Sequence, residues 1–463
     1  MGTPTSPDSP TTPAASADSA PRGDGWRRRR ETVSLPESHH SILVPAHARP
    51  WRKVLAYAGP GFLVSVGYMD PGNWATDLAG GARFGYTLIS VILISNFMAM
   101  LVQHLAVKLG VATGRDLAQA CRDHYSKKVS IALWVLCELA IAAMDLAELL
   151  GSAVAINLLF DIPIVWGCLI TSLDVLLILY LQNRGFRKIE AVILALVMTI
   201  GGCFAVEMFI IKPDLWGIAA GAVPRGQIIA NPEMLYIAIG IIGATVMPHN
   251  LYLHSSIVQT RKHSPDQAGR REAIRYGTLD SCIALTFALF VNGAILVLAA
   301  ATFHNTEYSG VADIEDAYHL LSPLLGVAGA SLLFALALLA SGQSSTITGT
   351  LAGQIVMEGF LNIRLRPWVR RTLTRGLALI PALVVIGFFG ESATGELLIA
   401  SQVVLSLQLP FAIVPLIAFT RDKKKMGVFA NGPWISVLAW ATAGAVIVLN
   451  VKLLVDVAWA GIG

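Results

Sequence analysis

Long apolar stretches separated by short polar loops follow one another from about residue 54 to the end of the chain. Crossing roughly 30 Å of hydrocarbon takes about 20 residues of α-helix, and eleven stretches approach or exceed that length. The pattern therefore predicts eleven transmembrane helices, at about residues 54–80, 85–107, 131–159, 165–181, 189–211, 234–259, 278–302, 320–358, 376–390, 396–419 and 434–459.

The composition agrees with a membrane protein that crosses the bilayer many times. Hydrophobic residues make up 55% of the 463 positions and charged residues only 14%. The mean hydropathy is +0.63, which is too apolar for a soluble globular protein of this size. The five cysteines show no paired spacing, so neither a disulfide framework nor a zinc–thiolate site is expected.

The first fifty residues have a different composition. They are rich in Ser, Thr, Pro and Ala and then carry the basic run Arg27 to Arg30. Chains of this kind bury too little apolar surface to fold. The sequence therefore predicts a disordered basic tail at residues 1–50 and a transmembrane domain at residues 51–463.

Positive charge falls on alternate loops. If the tail is cytoplasmic, the loops after the even-numbered helices are also cytoplasmic and should be rich in Lys and Arg. They contain Lys108, Arg115, Arg122, Lys127, Lys128, Arg184, Arg187, Lys188, Arg261, Lys262, Arg270, Arg271, Arg275, Arg364, Arg366, Arg370, Arg371, Arg375, Arg421 and Lys423 to Lys425. The opposite side carries only Arg83, Lys212, Arg225 and Lys452. We therefore expect a multi-pass protein of the cell membrane with a cytoplasmic N-terminus.

Two predicted helices are interrupted by a proline between polar residues. The first contains DPGN at residues 70–73 and the sixth contains MPHN at residues 247–250. Proline removes an amide donor and clashes with the preceding turn, so carbonyls such as those of Gly67 and Ala244 lose their helical partners. In lipid, such backbone is tolerated only where it faces protein or a water-filled cavity. Matched breaks in the two halves of a chain indicate an inverted-repeat transporter with a midplane substrate site.

The two breaks offer a carboxylate (Asp70), an amide (Asn73) and a thioether (Met247). An organic amino acid would prefer helix N-termini and aromatic walls. Mg²⁺ and Ca²⁺ take oxygen ligands and gain nothing from sulfur, whereas Mn²⁺, Fe²⁺ and later first-row ions accept it. The sequence therefore favours a softer divalent cation as substrate. Gln402, an amide in the apolar tenth helix, is a candidate for a further oxygen ligand, and Gln408, six residues further on, is its competitor.

Three acids, Glu138, Asp145 and Glu148, lie in the predicted third helix and fall on one stripe of its surface. Acids at membrane depth are costly unless they are paired or protonated. They are candidates for a proton pathway to the cytoplasm. The alternative is a structural ion-pair network that holds the helices together.

Further proton-pathway candidates lie on other predicted helices. His249 belongs to the second break, and Arg370 and Arg371 lie near the start of the ninth helix. His254 is a secondary candidate, because five residues on an α-helix correspond to about 140° of rotation away from His249.

Four motifs together resemble the Nramp family of divalent metal ion transporters: DPGN, MPHN, MDLAELLG in the third helix and GQSSTITGTLAGQIVMEGF at the end of the eighth. The resemblance extends from about Trp51 onward. It implies an all-α membrane protein with a leucine-transporter-type fold, in which helices 1 and 6 are broken. Two inverted five-helix repeats would occupy residues 51–211 and 234–419, followed by an extra helix at residues 434–459.

The resemblance also implies proton-coupled uptake of Mn²⁺ first, and of Fe²⁺ and similar ions. Family roles would make Asp70, Asn73, Met247 and the Ala244 carbonyl metal ligands, with Gly67 and Gln402 contributing in some states. They would place His249, Glu138, Asp145, Glu148 and an arginine at 370 or 371 on the proton route.

One alternative keeps the same fold but transports an amino acid or a sodium-coupled solute. A membrane enzyme is less favoured, because the chain lacks HExxH and the nucleotide-binding GxxxxGK[ST]. We expect no cofactor apart from the transported metal and protons. We also expect no nucleic-acid partner and function as a monomer in the lipid bilayer.

Overall fold

The computed structural model describes residues 25–45, 49–173, 185–310, 313–327, 329–363, 366, 369, 376, 379–384, 387–388 and 394–460. This part of the chain is almost entirely helical. Its sheet is one parallel pair of two-residue strands, Ile42–Leu43 (β1) and Arg261–Lys262 (β2). Arg370, Arg371 and much of the predicted ninth helix lie outside the described residues.

The helices are numbered here in chain order. They are α1 Pro50–Tyr57, α2 Pro60–Gly67, α3 Pro71–Phe84, α4 Ile89–Thr113, α5 Leu117–His124, α6 Lys127–Phe160, α7 Ile164–Thr171, α8 Phe186–Ile211, α9 Leu215–Gly221, α10 Gln227–Ala230, α11 Pro232–Thr245, α12 Pro248–Ile257, α13 Gln267–Thr302, α14 Ile314–Leu325, α15 Ala330–Leu361, α16 Thr394–Arg421, α17 Lys423–Met426 and α18 Pro433–Ala460. Short 3-10 helices occupy Gly85–Leu88, Val258–Thr260 and Gly427–Phe429.

Eight helical stretches of the described chain are long and apolar enough to cross a membrane. They are Pro71–Thr113, Lys127–Phe160, Phe186–Ile211, Pro232–Thr260, Gln267–Thr302, Ala330–Leu361, Thr394–Arg421 and Pro433–Trp459. The predicted fourth and ninth helices fall partly outside the described residues, so the total of eleven stays a prediction.

Both predicted breaks are present. Helix α2 ends at Gly67 and α3 begins at Pro71. Helix α11 ends at Thr245 and α12 begins at Pro248. A proline at the first position of a helix lacks only an amide that would be unpaired there anyway, and its fixed φ suits the helix. Each proline therefore stops one helix and starts the next.

Two predicted boundaries are wrong, and glycines explain both. The predicted first helix starts at residue 54, but Gly59 has φ of 134° and separates α1 from α2. The predicted eighth helix starts at residue 320, but the chain there belongs to α14. Gly326 and Gly329 have φ of 66° and 104° and end that helix before α15 begins.

The predicted disordered tail is wrong for residues 25–45. They pack on the end of the helices that carries the Lys- and Arg-rich loops, which we call the basic end. Leu35 is 5% exposed, and the Ser34 hydroxyl lies 2.6 Å from that of Ser256. Strand β1 pairs with β2, with Ile42 opposite Arg261. The composition of this segment does not reveal that it packs, because partners such as Ser256 and Arg261 lie more than 200 positions further along the chain.

A buried ion pair fixes the start of α2. The Arg261 guanidinium donates to Glu190 Oε1 at 2.6 Å and to the Ala58 carbonyl at 2.5 Å. Gly59 lies against both side chains, and a Cβ there would overlap the Glu190 carboxyl. The residues that lead into the first break are thus held against α8 and β2.

Candidate functional site

The two breaks meet through the side chain of Asn73. Its amide nitrogen lies 2.8 Å from Asp70 Oδ1, 3.2 Å from the Gly67 carbonyl oxygen and 3.1 Å from the Ala244 carbonyl oxygen. Gly67 is the last residue of α2 and Ala244 lies in the last turn of α11. The C-terminal ends of two half-helices, which carry partial negative charge, therefore converge on one point.

This cluster has more acceptors than its donor can satisfy. An amide NH₂ has two protons, but three oxygens surround the Asn73 nitrogen. One carboxylate and two carbonyls around a single point form a set of ligands suited to a cation. Discontinuous helices in transporters use carbonyls in this way to coordinate ions.

Asp70 is fully buried and lies at the N-cap of α3. Its Oδ1 accepts from the backbone amide and the side-chain amide of Asn73, both at 2.8 Å. Its Oδ2 is buried and has no hydrogen-bond partner among the described residues. A buried carboxylate oxygen without a donor is unfavourable while charged, so this position gains from a cation.

Met247 places a thioether at the second break. The side chain is fully buried, and its sulfur accepts a weak hydrogen bond from Asn250 Nδ2 at 3.6 Å. A Cβ on Gly67 would lie 3.0 Å from the Met247 sulfur. The sulfur therefore lies beside the Gly67 end of the oxygen cluster.

Gln402 of α16 reaches the same region. It is fully buried, and a Cβ at Gly72 would overlap its Nε2. Its Nε2 donates to Ser401 Oγ at 3.0 Å, and its Oε1 has no hydrogen-bond partner among the described residues. The side chain lies on the DPGN turn, and its oxygen is not committed to another protein contact.

The acids predicted for the proton pathway lie on one unbroken helix, α6. Asp145 and Glu148 are 6% and 1% exposed, whereas Glu138 is half-buried and accepts from Trp134 Nε1 at 3.1 Å. Glu148 faces α15, because a Cβ on Gly349 would lie 3.0 Å from its Oε1. Glu148 therefore lies at the contact between α6 and α15.

The two histidines of α12 have different surroundings. His249 is 1% exposed, and its Nδ1 has no hydrogen-bond partner among the described residues. His254 Nδ1 lies 2.9 Å from Gln103 Oε1, and its Nε2 lies 3.3 Å from Ser281 Oγ.

Three polar residues near the breaks escaped the sequence analysis. Asn292 of α13 donates to Asn73 Oδ1 at 3.3 Å. Gln103 Nε2 donates to the hydroxyl of Tyr68 at 3.0 Å, and Tyr68 lies two residues before Asp70. Asp77 is 1% exposed, and neither of its oxygens has a hydrogen-bond partner among the described residues. An amide or acid inside an apolar run is the sequence feature that would have indicated each.

Comparison with known proteins decides the family. The family model described as natural resistance-associated macrophage protein-like, Nramp, matches residues 61–456. The chain belongs to the Nramp family. The prediction from the four motifs is confirmed.

Two Nramp relatives show how far the similarity extends. A protein of Nostoc sp. named divalent metal cation transporter MntH is 63% identical over 426 residues, which cover 92% of this chain and 96% of the relative. A protein of the same name from Bradyrhizobium diazoefficiens is 58% identical over 444 residues, covering 96% and 99% of the two chains.

Solved structures confirm the predicted fold class. The manganese transporter of Eremococcus coleocola superposes with a TM-score of 0.84 at 40% identity, covering 92% of this chain and 90% of the other. Mhp1, a nucleobase-cation-symport-1 family transporter, matches with a TM-score of 0.55 at 16% identity over 86% and 90% of the chains, which shows the fold alone. The chain is an all-α membrane protein of the leucine-transporter type. The first and sixth predicted transmembrane helices are broken, the first into α2 and α3 and the sixth into α11 and α12.

Proposed function

We propose that this chain is a secondary transporter, not an enzyme, that imports divalent transition-metal ions in symport with protons. Mn²⁺ is the principal substrate, followed by Fe²⁺ and similar ions. The observation that carries the proposal is the convergence of the Asp70 carboxylate, the Gly67 and Ala244 carbonyls and the Met247 thioether at the two helix breaks. Hard oxygens with one soft sulfur favour a first-row transition metal over Ca²⁺.

Each ligand has a distinct task in this proposal. Asp70 supplies the negative charge that draws the ion into a buried site. Asn73 turns its amide so that Oδ1 replaces Nδ2 in the oxygen cluster when the ion binds. Met247 discriminates among ions of equal charge, and Gln402 adds an oxygen when the site closes. A single formal charge keeps binding weak enough for release.

The proton route runs through the acids of α6 and His249 toward the cytoplasm, and Arg370 and Arg371 are its further predicted members. His254 is a secondary member, because its hydrogen bonds lead to Gln103 and Ser281 instead. The protein acts as a monomer in the cell membrane with its N-terminus in the cytoplasm.

The deciding experiment is uptake of Mn²⁺, Fe²⁺ and Ca²⁺ into proteoliposomes with and without an inward pH gradient. We expect Mn²⁺ and Fe²⁺ to enter, Ca²⁺ to be excluded and the gradient to accelerate entry. Uptake that requires Na⁺, or accumulation of a labelled amino acid without metal, would instead support a solute transporter of the same fold.

Asp145→Asn should separate the two fluxes. We expect Mn²⁺ uptake to persist while metal-stimulated proton entry falls about tenfold or more, because a positioned proton carrier contributes at least that factor. A pH-sensitive dye enclosed in the proteoliposomes measures the proton entry after Mn²⁺ is added outside. Glu207→Gln removes a buried carboxyl of α8 outside the route and should keep both fluxes. Unchanged acidification in Asp145→Asn would return the α6 acids to a structural role.

Gly72→Ala tests the role of Gln402 without changing a ligand. The new methyl group would displace the Gln402 amide, which is the mobile end of a long side chain, so stability should change little. We expect the KM for Mn²⁺ to rise roughly tenfold, the size expected for one lost contact to a charged ligand.

The matched variants make this test specific. Gln402→Ala should show the same KM, and the double variant should add nothing further, because both changes remove one contact. In Gly80→Ala on the same helix, the new methyl group comes nearest to Leu88 Cδ1, at 3.1 Å, and otherwise makes ordinary contacts with Ile237 and Ile241, so this variant should behave as wild type. Additive effects of the two substitutions would show that Gln402 and Gly72 act independently.

A further inference from the structure

An apolar groove runs along the outside of the bundle between α6, α16 and α18. Its volume is about 550 Å³, and apolar side chains of the three helices line it, among them Val129, Leu133, Leu407, Phe411, Val451 and Leu454. Phe411 and Val451 are 45% and 54% exposed, so the groove opens to the side of the bundle that faces lipid. The amide of Asn450, which also lines the groove, already bonds to Ser406.

The groove runs along the helices, which is the direction of an acyl chain in a bilayer. Along α16 it extends from Leu407 to Pro415, eight residues or about 12 Å of helix. It continues past Val129 in the first turn of α6 to Tyr125, which precedes that helix. The groove therefore follows the helices and ends at the basic end of the bundle.

Aromatic rings surround this end of the groove. The Tyr125 ring lies 5.0 Å from that of His124 and 5.8 Å from that of Phe419. The ring of Trp26, in the segment that docks from the N-terminal side, lies 5.5 Å from Phe419. Because Tyr125 belongs both to the groove and to this aromatic cluster, the two are continuous. Tyr and Trp favour the level of the lipid head groups.

Positive charge accumulates beside the same rings. The Lys425 ammonium lies 5.3 Å from the Trp26 ring centroid. Lys127 and Lys128 are exposed in the first turn of α6, where the positive end of the helix dipole disfavours cations. Burial, Lys425 and Arg27 lower the pKa of His124, whereas the neighbouring Asp422 raises it.

Arg122 adds a guanidinium with unused donors. Its side chain is 7% exposed, and its Nε donates to Asp123 Oδ1 at 3.2 Å. Both terminal nitrogens are buried without a hydrogen-bond partner among the described residues. Asp123 is shared with Arg115, and Asp422 already pairs with Lys425. An anion with several oxygens would satisfy these donors.

We propose that an anionic phospholipid of the leaflet at the basic end binds here, with one acyl chain in the groove and its phosphate among Arg122, Lys127 and Lys128. The apolar groove requires a hydrocarbon chain, and the cations require a negative head group. Basic residues beside a membrane surface select anionic lipids in this way. The chain would lie against α16 between Leu407 and Pro415, roughly one and a half to three and a half turns from Gln402.

The test measures lipid binding to the purified full-length protein after delipidation in detergent. Dioleoyl phosphatidylglycerol and dioleoyl phosphatidylcholine are titrated separately, and native mass spectrometry counts the bound lipid. We expect phosphatidylglycerol to bind at least about fivefold more tightly, since each basic residue near a membrane surface contributes roughly that factor.

Three variants divide the proposal into its parts. Lys127→Gln with Lys128→Gln changes only exposed side chains and should remove most of the preference for phosphatidylglycerol. Val451→Trp fills the groove and should weaken binding of both lipids. Arg271→Gln with Arg275→Gln removes two exposed cations at the same end on α13, which packs on α2, α3 and α4, and should change neither.

Several outcomes would overturn the site. Equal affinity for the two lipids would exclude binding of the phosphate by the basic residues. Unchanged binding in Val451→Trp would exclude binding of the acyl chain in the groove. The same loss in the α13 variant would indicate general electrostatic attraction. Displacement of phosphatidylglycerol by equimolar glycerol phosphate would show that the head group alone binds.

Discussion

Asp70→Asn should reduce Mn²⁺ uptake to background. Removing one partner of a buried charge pair costs about 3–5 kcal/mol, which lowers affinity at least about a hundredfold. Asparagine caps a helix as well as aspartate does, so α3 should still begin at Pro71. The substitution therefore removes the charge while retaining the local structure. Isothermal titration with Mn²⁺ measures the affinity, and proteoliposome uptake measures the flux.

The control for Asp70→Asn is the folded state itself. Because Asp70 Oδ2 is buried without a donor among the described residues, the neutral amide should leave the thermal unfolding midpoint equal to or above that of the wild type. A folded Asp70→Asn protein that still transports Mn²⁺ would refute the proposed site.

Met247→Ala should change which ions are transported. We expect Mn²⁺ uptake to continue at a reduced rate while Ca²⁺ and Mg²⁺ begin to enter. The physical reason is that water can take the place of the thioether, and water is a good ligand for hard ions. Competition of Ca²⁺ with ⁵⁴Mn²⁺ uptake gives the selectivity, and wild-type protein should show none.

Met247→Leu separates sulfur from volume. Leucine has nearly the volume of methionine and keeps the site dry, but it offers no ligand. We expect weaker Mn²⁺ transport without entry of Ca²⁺. If both variants continue to reject Ca²⁺, the oxygen cluster of the two breaks, and not the thioether, sets the selectivity.

The sequence predicted the breaks well because proline acts locally. The predicted interruptions at DPGN and MPHN coincide with the ends of α2 and α11 and the starts of α3 and α12. The family motifs are also local strings, so the fold class and family membership followed from them. The assignment of Asp70, Asn73 and Met247 as ligands stays a prediction.

What the sequence did not reveal depends on contacts between distant segments. Asn292 meets Asn73 across 219 positions, and no local pattern relates the two. The packing of residues 25–45 has the same origin, because a polar composition says nothing about a complementary surface elsewhere in the chain. The boundary between α14 and α15 was missed because apolar character continues across Gly326 and Gly329.

The short β1–β2 pair has a mechanical consequence. It joins the segment that leads into the first broken helix to the segment that follows the second one. Arg261 reinforces this connection by donating to the carbonyls of Ala56 and Ala58. We therefore expect that a rigid-body displacement of α2 at the basic end is transmitted to α12. The ends of α2 and α12 on that side should move at the same time rather than in succession.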